Sequence, residues 1–247
     1  MPDHAVVPRE QWLEARRALL AREKEEVRLR DAVNAERLAL PWVRVEADYR
    51  FDTPEGPKSL GELFAGRSQL IVYHFMFGPD WDAGCPGCSF LADHLDGALP
   101  HLNHHDVTLV AVSRAPLAKI EAYRKRMGWR FPWVSSNGSD FNRDYHVSFT
   151  KEELASGRVF YNFGETAAEN ANDELPGLSA FYRDPATGEL FHTYSSYARG
   201  PESLIGTLMI LDRAPKGRNE GSTLDFVRRH DEYETAPAAS CCHERVA

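Results

Sequence analysis

The sequence has few cysteines, no excess of positive charge and no long apolar run. Only 4 of its 247 residues are cysteine, which excludes a small fold held together by disulfides. Asp and Glu outnumber Lys and Arg by 37 to 29, and the resulting net charge of -8 makes nucleic acid an unfavourable partner. The longest apolar run, residues 69–77, is far shorter than the ~20 residues of a membrane-spanning helix. Because the first residues also contain no apolar signal-peptide core, the sequence predicts a cytoplasmic protein without a membrane or nucleic-acid partner.

Hydrophobic patterning divides the chain into three parts. Residues 1–40 are charged, with apolar side chains at near-helical spacing, and predict a long helix that either lies on its own domain or packs on a second copy in a homodimer. Residues 41–214 alternate strands and helices and then form a hairpin and a last helix at 201–211, which predicts an α/β fold with a central mixed sheet flanked by helices. Residues 150–175 within this domain are polar and predict an insertion. Residues 215–247 predict a C-terminal extension and a flexible tail.

The strongest chemical signal is Cys-Pro-Gly-Cys at residues 85–88. It follows a buried strand at 70–75 and precedes a helical pattern that continues to about Leu102. A thiolate is the nucleophile in thiol–disulfide exchange, and the free amides at a helix N-terminus lower a thiol pKa. Pro86 suits the first helical position, so Cys85 should lie just before the first turn and Cys88 one turn into the helix. We therefore predict that Cys85 is the attacking thiol and Cys88 the resolving thiol.

Several stretches resemble a known family. Residues 60–67, the strand that follows, Trp81 and the cysteine pair are similar to the start of a peroxiredoxin-like protein of the thioredoxin-like superfamily. The closer resemblance is to a bacterial family of unassigned function described as predicted dithiol-disulfide oxidoreductases, and it lies in residues 73–88, 112–120, 126–136, 192–195 and 199–200. This resemblance extends over about residues 8–233. It implies a thioredoxin-like fold and a thiol–disulfide oxidoreductase activity.

The resemblance also implies where substrate would bind. A thioredoxin fold places a cis-proline opposite the cysteines, and Pro176 occupies the matching place, where its backbone would pair with a peptide or thiol substrate. An ordinary trans proline in a turn is the alternative. Arg114 follows the second buried strand, at the sheet edge where ligands gather. It could steady a thiolate or a substrate carboxylate, or form a surface ion pair. Trp81 completes this predicted substrate-binding set, with simple rim packing as its alternative.

Asp82 separates the sequence from a peroxidase-type site. Such a site would have a hydroxyl three residues before the reactive cysteine, where this chain has the carboxylate of Asp82. A negative charge there would raise the pKa of Cys85 and repel a peroxide anion. The sequence therefore argues against a dedicated peroxidase.

Metal binding and other thiols are the chemical alternatives. A zinc site would need two ligands besides Cys85 and Cys88, and the candidates are single histidines or Cys241-Cys242-His243. The adjacent cysteines 241 and 242 are either exposed thiols in a frayed tail or a second thiol centre that exchanges with Cys85.

A binding protein is the alternative from a different functional class. In that interpretation a groove beside Pro176 binds a peptide or small molecule, and Cys85 need not be accessible or acidic. Glycine-rich phosphate loops are absent from the sequence, so we predict no cofactor. His74 and His192 are predicted to be hydrogen-bonded histidines of the core.

Overall fold

A computed structural model describes residues 4–168 and 172–233. The group Cys241-Cys242-His243 lies outside the described residues. The chain divides into two compact units, residues 1–43 and residues 44–247. All of the predicted site residues, from Trp81 to Pro176, belong to the second unit.

The first unit contains one long helix, α1 (Arg9–Leu38), of 30 residues. The predicted helix is confirmed, and its sequence explains it, because no glycine or proline interrupts this range and alanine, leucine, arginine and glutamate are frequent. None of its residues is buried. Within the part of the chain that the structure describes, no helix is both long and apolar enough to span a membrane. The homodimer through α1 stays a prediction.

The second unit is built on a mixed sheet. The strands among the described residues are, in chain order, β1 (Val43–Arg44), β2 (Arg50–Phe51), β3 (Lys58–Ser59), β4 (Gln69–His74), β5 (Val107–Ser113), β6 (Trp133–Ser135), β7 (Arg158–Tyr161), β8 (Gly164–Ala167), β9 (Gly177–Arg183) and β10 (Leu190–Tyr197). The strands of the main sheet that lie wholly in this unit are ordered β10-β9-β4-β5-β6. β4 pairs parallel to β5 and antiparallel to β9. With a helix after β4 and the β9–β10 hairpin on its other side, this is the thioredoxin-like arrangement that the sequence predicts.

Helices flank the sheet, and two of the predicted helices are interrupted. They are α2 (Leu60–Leu63), α3 (Pro86–Ala92), α4 (Leu99–His104), α5 (Leu117–Met127), α6 (Phe141–Asp144), α7 (Lys151–Ala155) and α8 (Gly206–Leu211). The single helix predicted to run to Leu102 is wrong, because it ends after Ala92 and a new helix starts at Leu99. Between the two, the Asp96 carboxylate accepts the backbone N–H groups of Arg130 and Phe131. The predicted last helix likewise splits into a 3₁₀ turn, Gly200–Leu204, and α8.

The predicted insertion forms a small layer of its own. It contains α7 and the β7–β8 hairpin. A separate apolar cluster holds it, made up of Val147, Phe149, Val159, Tyr161, Ala168 and Tyr197. Because Tyr197 belongs to β10, this cluster anchors the insertion to the main sheet. The packing brings Tyr161 to the segment that leads into β9.

The extension after residue 214 packs against the domain as far as Tyr233. Val227 is buried in the main apolar cluster, and the ring of Phe226 lies 6.0 Å from that of Phe90 in α3. The Arg126 side chain of α5 forms ion pairs with Asp231 and Glu232. The extension therefore contacts the two helices that border the cysteine pair.

Alternation along β4 separates two core faces. Tyr73 and Phe75 belong to the apolar cluster on the α3 side, whereas Val72 packs in the cluster on the α2 side.

His74 is a core histidine, as predicted, with its Nε2 atom 2.8 Å from Ser179 Oγ. Burial lowers the pKa of His74 to about 3, so its ring is neutral. His192 is also hydrogen-bonded as predicted, with Nε2 2.8 Å from Ser195 Oγ.

Candidate functional site

The structure places the cysteine pair at the N-terminus of α3. Cys85 is the N-cap residue and Pro86 occupies the first turn. The backbone N–H of Cys85 donates to the carbonyl of Met76, 3.0 Å away, which ties the start of α3 to the chain leaving β4. Cys88 lies one turn inside the helix, as the spacing predicts.

Cys85 is the acidic thiol of the pair. Its pKa is lowered to about 6, first by a hydrogen bond from the Cys88 side chain and then by the backbone N–H groups of Cys88 and Gly87. The positive charge of Arg229 acts in the same direction, and together these effects exceed the opposing effect of burial. At neutral pH Cys85 is therefore mostly thiolate.

Cys88 has the opposite character. Its side chain is 2% exposed, and burial raises the pKa of Cys88 well above its ordinary value. Its sulfur receives the backbone N–H of Met76 at 3.5 Å. The structure thus pairs a half-buried thiolate with a fully buried neutral thiol.

Gly84 lets the chain pass closely behind Cys85. A Cβ atom at this position would lie 2.6 Å from the Phe75 ring and 3.0 Å from the Tyr123 ring. Contacts below about 3.0 Å require one group to move, and here both neighbours are rings of the buried core. Glycine at position 84 therefore allows the backbone before Cys85 to lie directly against these two rings.

Arg229 is a site residue that the sequence did not predict. Its guanidinium donates twice to the Gly84 carbonyl, at 2.8 and 3.2 Å, and once to the Tyr123 hydroxyl, at 2.9 Å. The signal in the sequence was the apolar group Leu224, Phe226 and Val227 just before it. Such a group indicates a segment that packs on the core. This packing places the positive charge of Arg229 near enough to Cys85 to lower its pKa.

Trp81 and Arg114 meet at one acidic segment. The Trp81 indole N–H donates to an Asp173 carboxylate oxygen at 3.0 Å, and the Arg114 guanidinium contacts the other oxygen at 3.2 Å. Arg114 also forms an ion pair with Glu174. Among the described residues, the charged partners of Arg114 are these two carboxylates. The ion pair, one of the two interpretations of Arg114, is therefore present, but it is mostly buried and not a surface contact.

Glu174 is a second residue that the sequence did not single out. It is 1% exposed, and its other oxygen accepts the Ser148 hydroxyl at 2.8 Å. Burial raises the pKa of Glu174 to about 7 despite the neighbouring Arg114. In the sequence, Glu174 is one of two adjacent acidic residues, Asp173 and Glu174, in the polar insertion, and such a pair is ordinarily exposed to solvent.

Pro176 follows this segment directly, at the end of the sheet where β4 ends. Of the two interpretations of Pro176, the trans bond is the one present, as it is at every other peptide bond within residues 4–168 and 172–233. The Pro176 carbonyl accepts the Tyr161 hydroxyl at 2.6 Å, and that hydroxyl accepts the backbone N–H of Ala198 at 2.7 Å. Gly177, the next residue, pairs with His74. Pro176 thus lies at the same sheet edge as the cysteine loop.

Two further expectations from the sequence concern the effect of Asp82 on Cys85 and zinc binding by the cysteine pair. Asp82 is exposed, and the pKa of Cys85 is lowered, with the charge of Arg229 among the causes. In the described ranges, no group of three or more His, Cys, Asp or Glu side chains is arranged to hold a metal ion. Zinc binding by Cys85 and Cys88 therefore has no further ligand among these residues.

A family model described as "Bacterial protein of unknown function (DUF899)" matches residues 1–233. The chain belongs to this family. The match covers both units, including the extension that carries Arg229. A comparison with curated proteins yields no match.

Solved structures similar to this chain include peroxiredoxins and a disulfide oxidoreductase. PrxQ of Xylella fastidiosa has 12% sequence identity and a TM-score of 0.44, over 68% of this chain and 94% of that one. Peroxiredoxin Q of Xanthomonas campestris has 14% identity and a TM-score of 0.45, over 69% and 98%. A secreted disulfide oxidoreductase of Mycobacterium tuberculosis has 14% identity and a TM-score of 0.36, over 64% and 92%. These values are too low to transfer an activity or a site residue to this chain.

Proposed function

We propose that the protein is a thiol–disulfide oxidoreductase in which Cys85 attacks and Cys88 resolves. One observation carries the proposal: two cysteines one helical turn apart have opposite character. Cys85 is half-buried and has a pKa of about 6, whereas burial holds the pKa of Cys88 well above its ordinary value. A thiol that only fills space in the core would gain nothing from the amides of a helix N-terminus and a positive charge near it.

The chemistry follows from these two states. The Cys85 thiolate attacks one sulfur of a substrate disulfide, forms a mixed disulfide and releases the other half as a thiolate, which takes a proton from water. Cys88 then loses its proton and attacks the Cys85 sulfur. This forms the Cys85–Cys88 disulfide and releases the second substrate thiol. Two electrons pass from the cysteine pair to the substrate, and the reverse sequence oxidises a dithiol.

Substrate would lie at the sheet edge beside Cys85. Trp81 precedes the cysteine pair, and its indole N–H donates to Asp173. Asp173 lies three residues before Pro176 in the sequence, so Trp81 and Pro176 border the same segment, residues 173–176. Arg114 forms ion pairs with Asp173 and Glu174 and so holds this segment. We assign Trp81 and Pro176 to substrate contact and Arg114 to positioning. A protein or small-molecule thiol or disulfide fits this open arrangement.

Equilibration with glutathione tests the proposal. A Cys241→Ser/Cys242→Ser variant removes competing thiols, and mass spectrometry after acid quenching reports the state of the remaining pair. We expect an intramolecular Cys85–Cys88 disulfide that forms and disappears reversibly as the ratio of oxidised to reduced glutathione changes. A pair that stays reduced at every ratio, with the protein folded, would instead favour a binding protein that uses the same edge.

A further inference from the structure

We infer that Arg229, which the C-terminal extension carries, is a positioning residue that fixes the backbone on both sides of Cys85 through a network with Tyr123 and Ser89. This inference rests on the proposed function, because it concerns how the attacking thiol is held. It makes the extension a part of the thiol site and gives Arg229 a role beyond that of a nearby charge.

The two peptide groups that flank Cys85 are both held by hydrogen bonds. The carbonyl of Gly84 accepts the Arg229 guanidinium at 2.8 and 3.2 Å. The backbone N–H of Cys85 donates to the Met76 carbonyl at 3.0 Å, and the Cys85 carbonyl accepts the Ser89 hydroxyl at 2.8 Å. Because each peptide group is planar, holding both of them fixes the two backbone torsions of Cys85 and so the direction of its side chain.

A polar network joins the two flanking carbonyls through the core. Arg229 Nε donates to the Tyr123 hydroxyl at 2.9 Å, and this hydroxyl lies 2.9 Å from that of Ser89. A guanidinium can only donate, and the Ser89 proton is directed at the Cys85 carbonyl, so the Tyr123 hydroxyl accepts from Arg229 and donates to Ser89. Tyr123 is 5% exposed and Ser89 is completely buried. A buried network in which each hydroxyl both donates and accepts favours a single geometry.

The shape of the Arg229 guanidinium suits this role. Its Nε atom donates to Gly84 and Tyr123, Nη2 donates to Gly84, and Nη1 donates to Glu232 at 3.0 Å. Three nitrogen atoms in a rigid plane thus hold three groups in defined directions, which the single amine nitrogen of a lysine cannot do. Val227, two residues before Arg229, is buried in the core and anchors the extension beside it.

The network acts on the thiol mainly through position. The pKa of Cys85 is lowered by the Cys88 side chain, by the backbone N–H groups of Cys88 and Gly87, and by the charge of Arg229, in that order. The first two effects depend on where the Cys85 sulfur lies, and the network with Arg229 fixes that place. Glu232 pairs with the same guanidinium and offsets part of its charge. Loss of position should therefore cost more than loss of charge.

The pH profile of Cys85 alkylation separates position from charge. Iodoacetamide labelling of reduced Cys241→Ser/Cys242→Ser protein, read by mass spectrometry of peptides, gives the midpoint of Cys85, and circular dichroism reports whether each variant is folded. We expect Arg229→Met to raise the midpoint by about 1 pH unit, a tenfold loss of thiolate below the midpoint. Arg229→Lys keeps the charge but loses the directed hydrogen bonds, so it should produce at least half of this shift.

Arg228→Met is the matched control. It removes the same charge from the neighbouring residue, whose guanidinium donates to the carbonyl groups of Asp225 and Val227 within the extension itself. The midpoint of Cys85 in this variant should equal that of the Cys241→Ser/Cys242→Ser background.

Tyr123→Phe tests the network while Arg229 stays in place. The variant keeps the ring in the core and the guanidinium on the Gly84 carbonyl, but it breaks the connection from Arg229 to Ser89. We expect a midpoint above that of the background and below that of Arg229→Met. If both Arg229 variants fail to fold, an unmoved midpoint in Tyr123→Phe overturns the inference.

The outcomes distinguish this inference from the proposed function. A background midpoint in Arg229→Lys together with a raised one in Arg229→Met would mean that Arg229 acts through its charge alone, and would overturn the positioning role. An unmoved midpoint in Arg229→Met, or an equal shift in Arg228→Met, overturns it as well. Alkylation needs no disulfide exchange, so a protein that forms no Cys85–Cys88 disulfide contradicts the proposed function, whereas these midpoints test Arg229.

Discussion

Cys88→Ser protein should accumulate a mixed disulfide between Cys85 and a thiol substrate. Serine cannot attack the mixed disulfide, so the intermediate that wild-type protein resolves should persist. The Cys85 thiol keeps its place at the helix N-terminus with the backbone N–H groups that lower its pKa, so the first attack should still occur. Mass spectrometry of the protein after incubation with oxidised glutathione should show one glutathione on Cys85, in a background without Cys241 and Cys242.

Cys85→Ser is the matched control for this experiment. It removes the only acidic thiol of the pair, and Cys88 is buried and neutral. The rate of disulfide exchange should fall by about a thousand-fold or more, as expected when a nucleophile is lost. No glutathione should be found on Cys88. Equal trapping on Cys88 in this variant would reverse the assignment of the two roles.

Arg114→Met should strongly destabilise the fold. Arg114 is 16% exposed and its partner Glu174 is 1% exposed, so the variant leaves a carboxylate buried without its counter-charge. Breaking a buried pair from one side costs about 3–5 kcal/mol of unfolding free energy. Urea unfolding at about pH 8, where Glu174 is ionised, measures this loss. If Arg114 served substrate alone, stability would stay unchanged and only the exchange rate would fall.

The pH dependence of the stability of Arg114→Met should show that Glu174 is the partner of Arg114. Burial raises the pKa of Glu174 in the folded protein to about 7, so the folded protein holds the Glu174 proton more tightly than the unfolded chain does. The resulting contribution to the free energy of unfolding is complete below the unfolded pKa of 4.5 and is lost as the pH rises through about 7. Without Arg114 the folded pKa rises further, so stability should keep falling above pH 7. Adding Glu174→Gln to Arg114→Met should restore most of the lost stability and remove this dependence. A double variant as unstable as the single one would contradict the ion-pair account.

The fold and the centre of the site were predictable from local signals. An apolar strand followed by Cys-Pro-Gly-Cys and a helical pattern is enough to place Cys85 at a helix N-terminus, because proline and the cysteine spacing act within one turn. The alternation of strands and helices likewise predicts the mixed sheet. The hydrogen-bonded state of His74 also follows from its place in a buried strand, since buried polar groups require partners.

Contacts between residues distant in sequence were not predictable. Arg229 contacts the Gly84 carbonyl beside Cys85 because Phe226 and Val227 pack on the core, far along the chain from the cysteine pair. Glu174 became important through Arg114 and Ser148, which lie on other elements. The helix break before Leu99 depends on the Asp96 contact with the chain after α5. In each case tertiary packing, and not local propensity, decides the outcome.

The position of Pro176 at the sheet edge follows from its place just before β9, but the hydrogen bond from the Tyr161 hydroxyl to its carbonyl was not predictable. Such contacts are set by the insertion, whose structure the sequence did not predict.

The central claim is that Cys85 is the acidic, attacking thiol, and site-resolved alkylation tests it most directly. Reduced wild-type protein is pulsed with iodoacetamide over a range of pH, and mass spectrometry of peptides reports the modification rate at Cys85 and Cys88 separately. We expect Cys85 to react first, with a midpoint near its pKa of about 6, while Cys88 stays unmodified at neutral pH. Faster modification of Cys88, or a Cys85 midpoint near the ordinary thiol value of 9.0, would contradict the account.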